Sequence, residues 1–305
     1  MKKSRREFLK ICGVVLGGTF LINRIARGWN FWNLVGLDKE KLIKIAIIPA
    51  EDQLKMMEKL KPMFSYIEKK TGYTVKPYVV GDYTAVIEAL INKKVDVALL
   101  GPFSYVSAHA RDSAIVPFAV GVRADTHTTT YHSIIVVRNE VYKRGIENLS
   151  SLKSHAKEIT FAFVDPKSTS GYLIPKAALL EAGINPDKDF KKIVFSGGHD
   201  AVEFAIKHDQ VDAGADADVT YNRLLNEGKI SANENIVIWE SKPLPGSPWV
   251  YRDDLSQDLK KKIKEAFYSM PSKYAMSYGN AVKFVPAKHK DYIEIEKAAK
   301  RLGIL

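Results

Sequence analysis

The sequence predicts an α/β protein of two similar lobes, joined by a two-strand hinge, with a ligand cleft between them. Three observations in its 305 residues carry that expectation. Short β-rich runs alternate with amphipathic helical patterns, as in α/β domains with a largely parallel sheet. The alternating unit recurs without a gap at a shift of 116 residues: Ile45-Ala46-Ile47-Ile48 falls on Phe161-Ala162-Phe163-Val164, Gly81 on Gly197, Ala85-Val86 on Ala201-Val202, Val95-Asp96 on Val211-Asp212 and Tyr105 on Tyr221. The chain also crosses between the two units twice, and two crossings make a hinge about which lobes can close on a ligand.

In order along the chain, residues 43–48 form a β-rich run. A helix follows with Leu54, Met57, Leu60, Phe64 and Ile67 on one face and Thr71-Gly72 at its end. Residues 74–80 read as a strand, and Asp82 opens a helix that carries Tyr83, Val86, Ile87, Leu90 and Ile91 at helical spacing. Residues 95–100 are a short apolar strand stopped by Gly101-Pro102. Residues 115–123, a threonine-rich stretch ending at Tyr131-His132, and a strand over 133–138 carry the chain into the second lobe. There a β-rich run over 159–164 leads to a helix with Leu173, Ala177 and Leu180 on one stripe and Gly183 as its stop. Residues 235–239 begin a return strand, Pro243-Leu244-Pro245-Gly246-Ser247-Pro248 leads back, and residues 256–305 read as Lys-rich helix packed on the first lobe. The expected divisions are an export signal (1–28), a linker (29–40), lobe 1 (41–131 plus 246–305) and lobe 2 (132–245).

The chemistry concentrates at Val164-Asp165-Pro166-Lys167-Ser168-Thr169-Ser170-Gly171-Tyr172. A strand stops at a Pro and delivers three hydroxyls and a Gly to the start of a helix. Unpaired N–H groups and the helix dipole point the same way there, so the turn is suited to an anion; an ordinary N-cap is the plainer alternative. The 116-residue register sets Glu51-Asp52 at the matching place in the first lobe, an acidic turn that repels anions, so the anion should rest on the second lobe. The same register makes Tyr83 and His199 equivalent, each at the start of the second helix of its lobe and facing the crevice where strand ends meet. Tyr83 also begins an apolar stripe, and Tyr105 is read as packing.

Composition narrows the class. With 46% hydrophobic and 27% charged residues the chain can build real cores. A single cysteine, Cys12, excludes an internal disulfide framework and a Cys-based zinc site, and neither metal nor cofactor is expected. The net charge is +11, but residues 1–28 contribute +6 of it, and the remaining lysines are scattered among Glu and Asp; no nucleic-acid partner is expected. Those first residues combine a basic start with a twelve-residue apolar stretch from Ile11 to Ile22, about 18 Å as helix and too short for a ~30 Å bilayer core. Ser4-Arg5-Arg6-Glu7-Phe8-Leu9-Lys10 resembles the twin-arginine export motif, which implies the twin-arginine export machinery as a partner and an extracytoplasmic destination. No clean cleavage site follows, so the protein is either released or tethered, with membrane contact only through this segment.

Five further motifs carry a family resemblance: Gly101-Pro102-Phe103-Ser104-Tyr105, Asp165 to Tyr172, Gly197-Gly198-His199-Asp200-Ala201-Val202, Asp212-Ala213-Gly214-Ala215 and Pro245-Gly246-Ser247-Pro248-Trp249. Together, over residues 41–298, they resemble the periplasmic phosphate-, phosphite- and phosphonate-binding proteins of ABC importers. The resemblance implies a type II periplasmic-binding-protein fold that passes a small phosphorus oxyanion to an ABC permease with its ATPase. It also implies that Ser168, Thr169 and Ser170 hold the phosphonyl oxygens, that His199 contacts them, and that Tyr83 and Tyr131 line the cleft. Relatives that take aminoalkyl phosphonates add carboxylates for the amine. This chain has Ser247 at the return crossing and Asp218 as the nearest acidic candidate, a departure that leans toward phosphite or phosphate.

Asp216 and Asp218 follow the strand end at Ala215. A carboxylate there would accept a P–OH proton and so discriminate against sulfate, and Asp218 is the expected acceptor, with a helix N-cap as its plainer reading. A protonated His199 would strengthen the bonds it donates, so binding should weaken as pH rises through its pKa. The rivals are a membrane-tethered anion sensor and a hydrolase. No Gly-x-Ser-x-Gly elbow surrounds Ser170, so no catalytic residue is expected.

Overall fold

The computed structural model describes residues 41–305 apart from Val79 and Tyr278; the expected export signal and linker lie outside the described residues. The strands follow in order as β1 (Leu42–Ile47), β2 (Thr74–Tyr78), β3 (Val97–Leu99), β4 (Ile115–Arg123), β5 (Thr130–Tyr131), β6 (Ser133–Arg138), β7 (Thr160–Phe163), β8 (Lys192–Phe195), β9 (Ala213–Ala217), β10 (Asn235–Glu240), β11 (Leu244–Pro245), β12 (Pro248–Arg252) and β13 (Ala281–Pro286). The longer helices are α1 (Gln53–Thr71), α2 (Tyr83–Ile91), α3 (Pro102–Arg111), α4 (Ile174–Glu181), α5 (His199–Lys207), α6 (Asp218–Asn226), α7 (Gln257–Tyr268) and α8 (Ile293–Arg301).

Two separate sheets define the two lobes: a six-stranded sheet in the order β13-β4-β12-β3-β1-β2 and a five-stranded one in the order β10-β6-β9-β7-β8. Each is parallel through three consecutive strands at one edge, β2-β1-β3 in one and β8-β7-β9 in the other. Each then adds an antiparallel neighbour, β12 against β3 and β6 against β9. The 116-residue register survives as geometry, since α2 lands on α5 end to end and the first residue of α3 lands on the first of α6. This is the two-lobed type II architecture.

β1, β3 and β7 are largely apolar because both of their faces are covered. Ile43, Ile45 and Ile47 pack with Met63, Phe64 and Ile67 of α1, while Ala46 and Ile48 turn to the side of Val86 and Leu90 of α2. The second lobe repeats the scheme, with Phe161 and Phe163 beside Leu179 and Phe190, and Ala162 and Val164 beside Val202 and Ile206. Period-two pleating thus splits one run between two helical layers.

The hinge is short. β5 and β11 pair antiparallel, Leu244 opposite Tyr131 and Pro245 opposite Thr130, and form a two-stranded ribbon between the lobe sheets. Gly246 follows at once, and a Cβ there would lie 2.4 Å from the main-chain oxygen of Thr129, so only glycine lets the two crossings run this close.

Two expectations need correction. Burial along α1 begins at Leu60, and Leu54, expected on the apolar face, is 77% exposed; the fully buried stripe is carried by Leu60, Met63, Phe64 and Ile67. Residues 256–305 are not all helix, because β13 pairs with β4 as a sheet-edge strand and buries Ala281 and Phe284.

Gly171 marks the tightest approach of the strand-to-helix turn. Its main-chain oxygen accepts from Val164 N–H at 3.0 Å, and a Cβ would stand 2.3 Å from Val164 Cγ2. Gly171→Ala is therefore expected to lower the unfolding free energy by about 1–3 kcal/mol, as overpacking does, in urea denaturation. An unchanged midpoint would show that the turn is free to swing outward.

Candidate functional site

The three hydroxyl residues sit on a wide helical turn, Thr169–Leu173, which runs directly into α4. Each is buried to 2% exposure. Ser168 is the N-cap and its oxygen accepts from Gly171 N–H at 3.1 Å, so its own O–H remains to be donated. The main-chain oxygen of Ser170 accepts from Ser133 Oγ at 2.7 Å, which anchors the turn to β6.

Thr169 reaches the other lobe. Its Oγ1 accepts from Phe103 N–H of α3 at 2.8 Å. α3 needs this bond, since its N-cap is Gly101, which has no side chain to offer. A second tie runs beside it, Ser104 Oγ donating to the Lys167 oxygen at 2.9 Å. Further around the cleft His199 N–H donates to the Ala50 oxygen at 2.8 Å, and Arg223 pairs with Glu51 at 3.0 Å. The lobes are in direct contact.

Between them lies a cavity of about 730 Å³, walled by Tyr83, Tyr131, Ser168, Thr169, Ser170 and His199 among others. Tyr83 and His199 are the first residues of α2 and α5, as their equivalence requires. The Tyr83 hydroxyl is fully buried, has no hydrogen-bond partner other than Ser168, which is within reach, and is held well above the usual phenol range by burial. Burial also pushes Tyr131 up to about 12, and it lies within reach of Ser170 and Thr169. Both phenols therefore stay protonated and present neutral O–H donors.

His199 is buried with its Nδ1 2.6 Å from Asp216 Oδ1, which leaves Nε2 as the ring nitrogen available to the cavity. Burial lowers His199 to about 4 and raises Asp216 to about 8. From about pH 4 to about pH 8 the pair thus holds a single proton, placed in the short Nδ1–Oδ1 bond.

This geometry meets a family model. Residues 45–292 match the family of periplasmic substrate-binding proteins of phosphonate ABC transporters. The chain belongs to this family. Among related proteins, the "Phosphate-import protein PhnD" of Mycolicibacterium smegmatis is 30% identical over 74% of this chain and 70% of its own. The "Phosphonates-binding periplasmic protein" of Escherichia coli is 32% identical over 75% of this chain and 66% of its own. The solved structure of PhnD1 from Prochlorococcus marinus in complex with methylphosphonate superposes with a TM-score of 0.79 at 25% identity, covering 87% of this chain and all of that one.

Within this phosphonate-binding-protein framework, six of the seven expected contacts converge on the cavity and one does not. Asp218 is absent from the wall: its Oδ2 takes Arg123 Nη1 at 2.9 Å and its Oδ1 takes His132 N–H at 2.9 Å. With both oxygens engaged it ties the hinge to α6 rather than awaiting a ligand proton, and it is the first helical residue, not the cap. The carboxyl group behind the site is Asp216, two residues earlier on β9 and wholly buried. Glu51, expected in the acidic first turn of the first lobe, and Arg123, which was not anticipated, also line the cavity; each is engaged by an opposite charge, Arg123 by Asp125 and Asp218, Glu51 by Arg223. Tyr105 packs as expected, its hydroxyl 2.8 Å from His289 Nδ1.

The proton-sharing pair has a measurable consequence. Unfolded, Asp and His with ordinary values of 3.8 and 6.5 also hold one proton up to pH 6.5, so the pair adds no slope there. From 6.5 to about 8 only the folded pair keeps the proton, so stability falls as pH rises, by roughly 1 kcal/mol per pH unit from this pair. In ligand-free protein the His199 ring resonances should stay flat through pH 6.5 and move near pH 8. A midpoint near 6.5 would rule out the shared proton.

Proposed function

We propose that the protein captures a phosphorus oxyanion, namely phosphite, phosphate or a small phosphonate, by closing its lobes, and hands it to an ABC permease with its ATPase. The observation that carries this is the convergence of neutral O–H donors, with the buried Tyr83 hydroxyl among them, on one helix-start turn. A tetrahedral oxyanion offers several acceptor oxygens to such a ring, and the donors add no titrating charge at neutral pH. His199 adds a further donor: with the shared proton in the Nδ1–Oδ1 bond to Asp216, the imidazole carries its own N–H on Nε2. The related protein seen with methylphosphonate supports small phosphonates in the ligand class.

The protein works as a binder, not a catalyst. Ser168 and Thr169 already accept main-chain N–H bonds, and no Gly-x-Ser-x-Gly elbow surrounds Ser170. Export through the twin-arginine machinery and an extracytoplasmic site of action complete the reading. N-terminal sequencing of the exported protein tells a released receptor from a tethered one.

Calorimetric titration should show saturable heat with phosphite, phosphate or methylphosphonate; no heat with any phosphorus oxyanion overturns the proposal. Binding should weaken above about pH 8, where the His199–Asp216 pair loses its proton. The double substitution Ser168→Ala with Ser170→Ala should reduce affinity at least a hundredfold, two charge-assisted bonds at ~1.5 kcal/mol each, with ligand-free stability changed far less. Loss of folding instead would make the turn a structural cap.

A further inference from the structure

Behind His199 lies a second acidic group that the binding reading does not use. Glu203 stands one helical turn after His199 on α5, on the same buried face, and is 0% exposed. Its carboxyl is within hydrogen-bond reach of Asp216. Asp216 is itself 0% exposed, so two carboxyl groups meet in a site closed to water.

The orientation of Asn235 shows which oxygen carries a proton. Asn235 Nδ2 donates to the main-chain oxygen of Glu203 at 2.9 Å and to Glu203 Oε2 at 2.6 Å. The bond to the carbonyl oxygen rules out a flipped amide, so Oε2 is the acceptor end of the Glu203 carboxyl. Among the described residues three oxygens of this cluster then remain buried with no donor, Asn235 Oδ1, Glu203 Oε1 and Asp216 Oδ2. The last two belong to the two neighbouring carboxyl groups. A proton between them satisfies both at once, whereas two bare carboxylates there repel without water to screen them. Burial and the neighbouring Asp216 hold Glu203 well above the usual carboxylate range, in keeping with this.

We propose that Glu203 is a permanently un-ionised carboxylic acid that donates its O–H to Asp216 Oδ2 and thereby acts as the positioning residue for the ligand-facing histidine. The resulting chain runs Asn235 Nδ2–H to Glu203, Glu203 O–H to Asp216, and Asp216 to His199 Nδ1, with Nε2 left for the ligand. Its effect is on charge as well as direction. Glu51 and Asp200 already set negative charge near His199 and Asp216, and Tyr221 of α6 faces Glu203. An ionised Glu203 would give the floor of an anion site net negative charge; the acid form keeps it neutral.

The binding part of this rests on the oxyanion reading above, but the protonation does not, and the tests separate the two. Infrared spectra of ligand-free wild type at pH 7, with and without ¹³C-glutamate labelling, should contain a label-sensitive carboxylic-acid C=O band that Glu203→Gln removes. Absence of that band overturns the assignment whether or not any variant folds. Glutamine reproduces the acid form atom for atom, an acceptor toward Asn235 and an N–H donor toward Asp216, so phosphite affinity of Glu203→Gln should stay within about threefold of wild type. Glu203→Leu removes both bonds and should weaken phosphite binding tenfold or more and shift the His199 ring titration. Tightening by Glu203→Gln of tenfold or more would mean that wild-type Glu203 is ionised and repels the ligand, and would end the proposal. Wild type that shows the band yet binds neither phosphite, phosphate nor methylphosphonate would sink the oxyanion reading and leave the proton on Glu203 in place.

Discussion

One hydrogen bond makes the two halves of this molecule interdependent. Thr169 belongs to the hydroxyl turn of the second lobe, yet its oxygen completes the N-terminus of α3 in the first. A helix that begins at glycine has no cap of its own, and an uncapped first turn costs about 1 kcal/mol. The hydroxyl turn and the lobe contact are therefore one structure. Placing the lobes together satisfies the Phe103 amide, and the same placement sets the Thr169 O–H, beside those of Ser168 and Ser170, toward the cavity.

Around that joint the site manages charge by dispersal. The cationic side chains Arg123 and Arg223 on its wall are committed to carboxylates, and hydroxyls and phenols do the facing. Burial keeps both phenols protonated. The hydroxyls can donate and accept at once, whereas the imidazole Nε2 does one or the other, and the acids packed behind it decide which. Selectivity of this kind follows bond direction and proton count more than net charge, which suits separation of oxyanions that share a shape.

Much of the fold was legible because the duplication is written as pattern. Apolar runs at strand spacing, helix starts at Asp82 and Gly198, and the shift of 116 residues all survive as coordinates, since each depends on local periodicity. β13 was hidden because a sheet-edge strand declares itself through its partner, β4, far away in the chain. In the site, Ser168 to Ser170 and His199 were readable from turn chemistry and register. Asp216 and Asp218 could not be ranked that way: both follow the same strand, and which one faces the histidine depends on pleat parity and on where Arg123 lands from the other lobe. Glu203 looked like any acidic residue on a helix until Asn235, distant in sequence, was packed against it.

Tyr131 occupies an unusual position. It lines the cavity and is also one of the two residues of β5, paired with Leu244 in the ribbon about which the lobes turn. Cavity wall and hinge ribbon thus share a single side chain, with no relay of intervening residues between them. A transporter that grips both lobes would read loading as stiffness of the pivot itself.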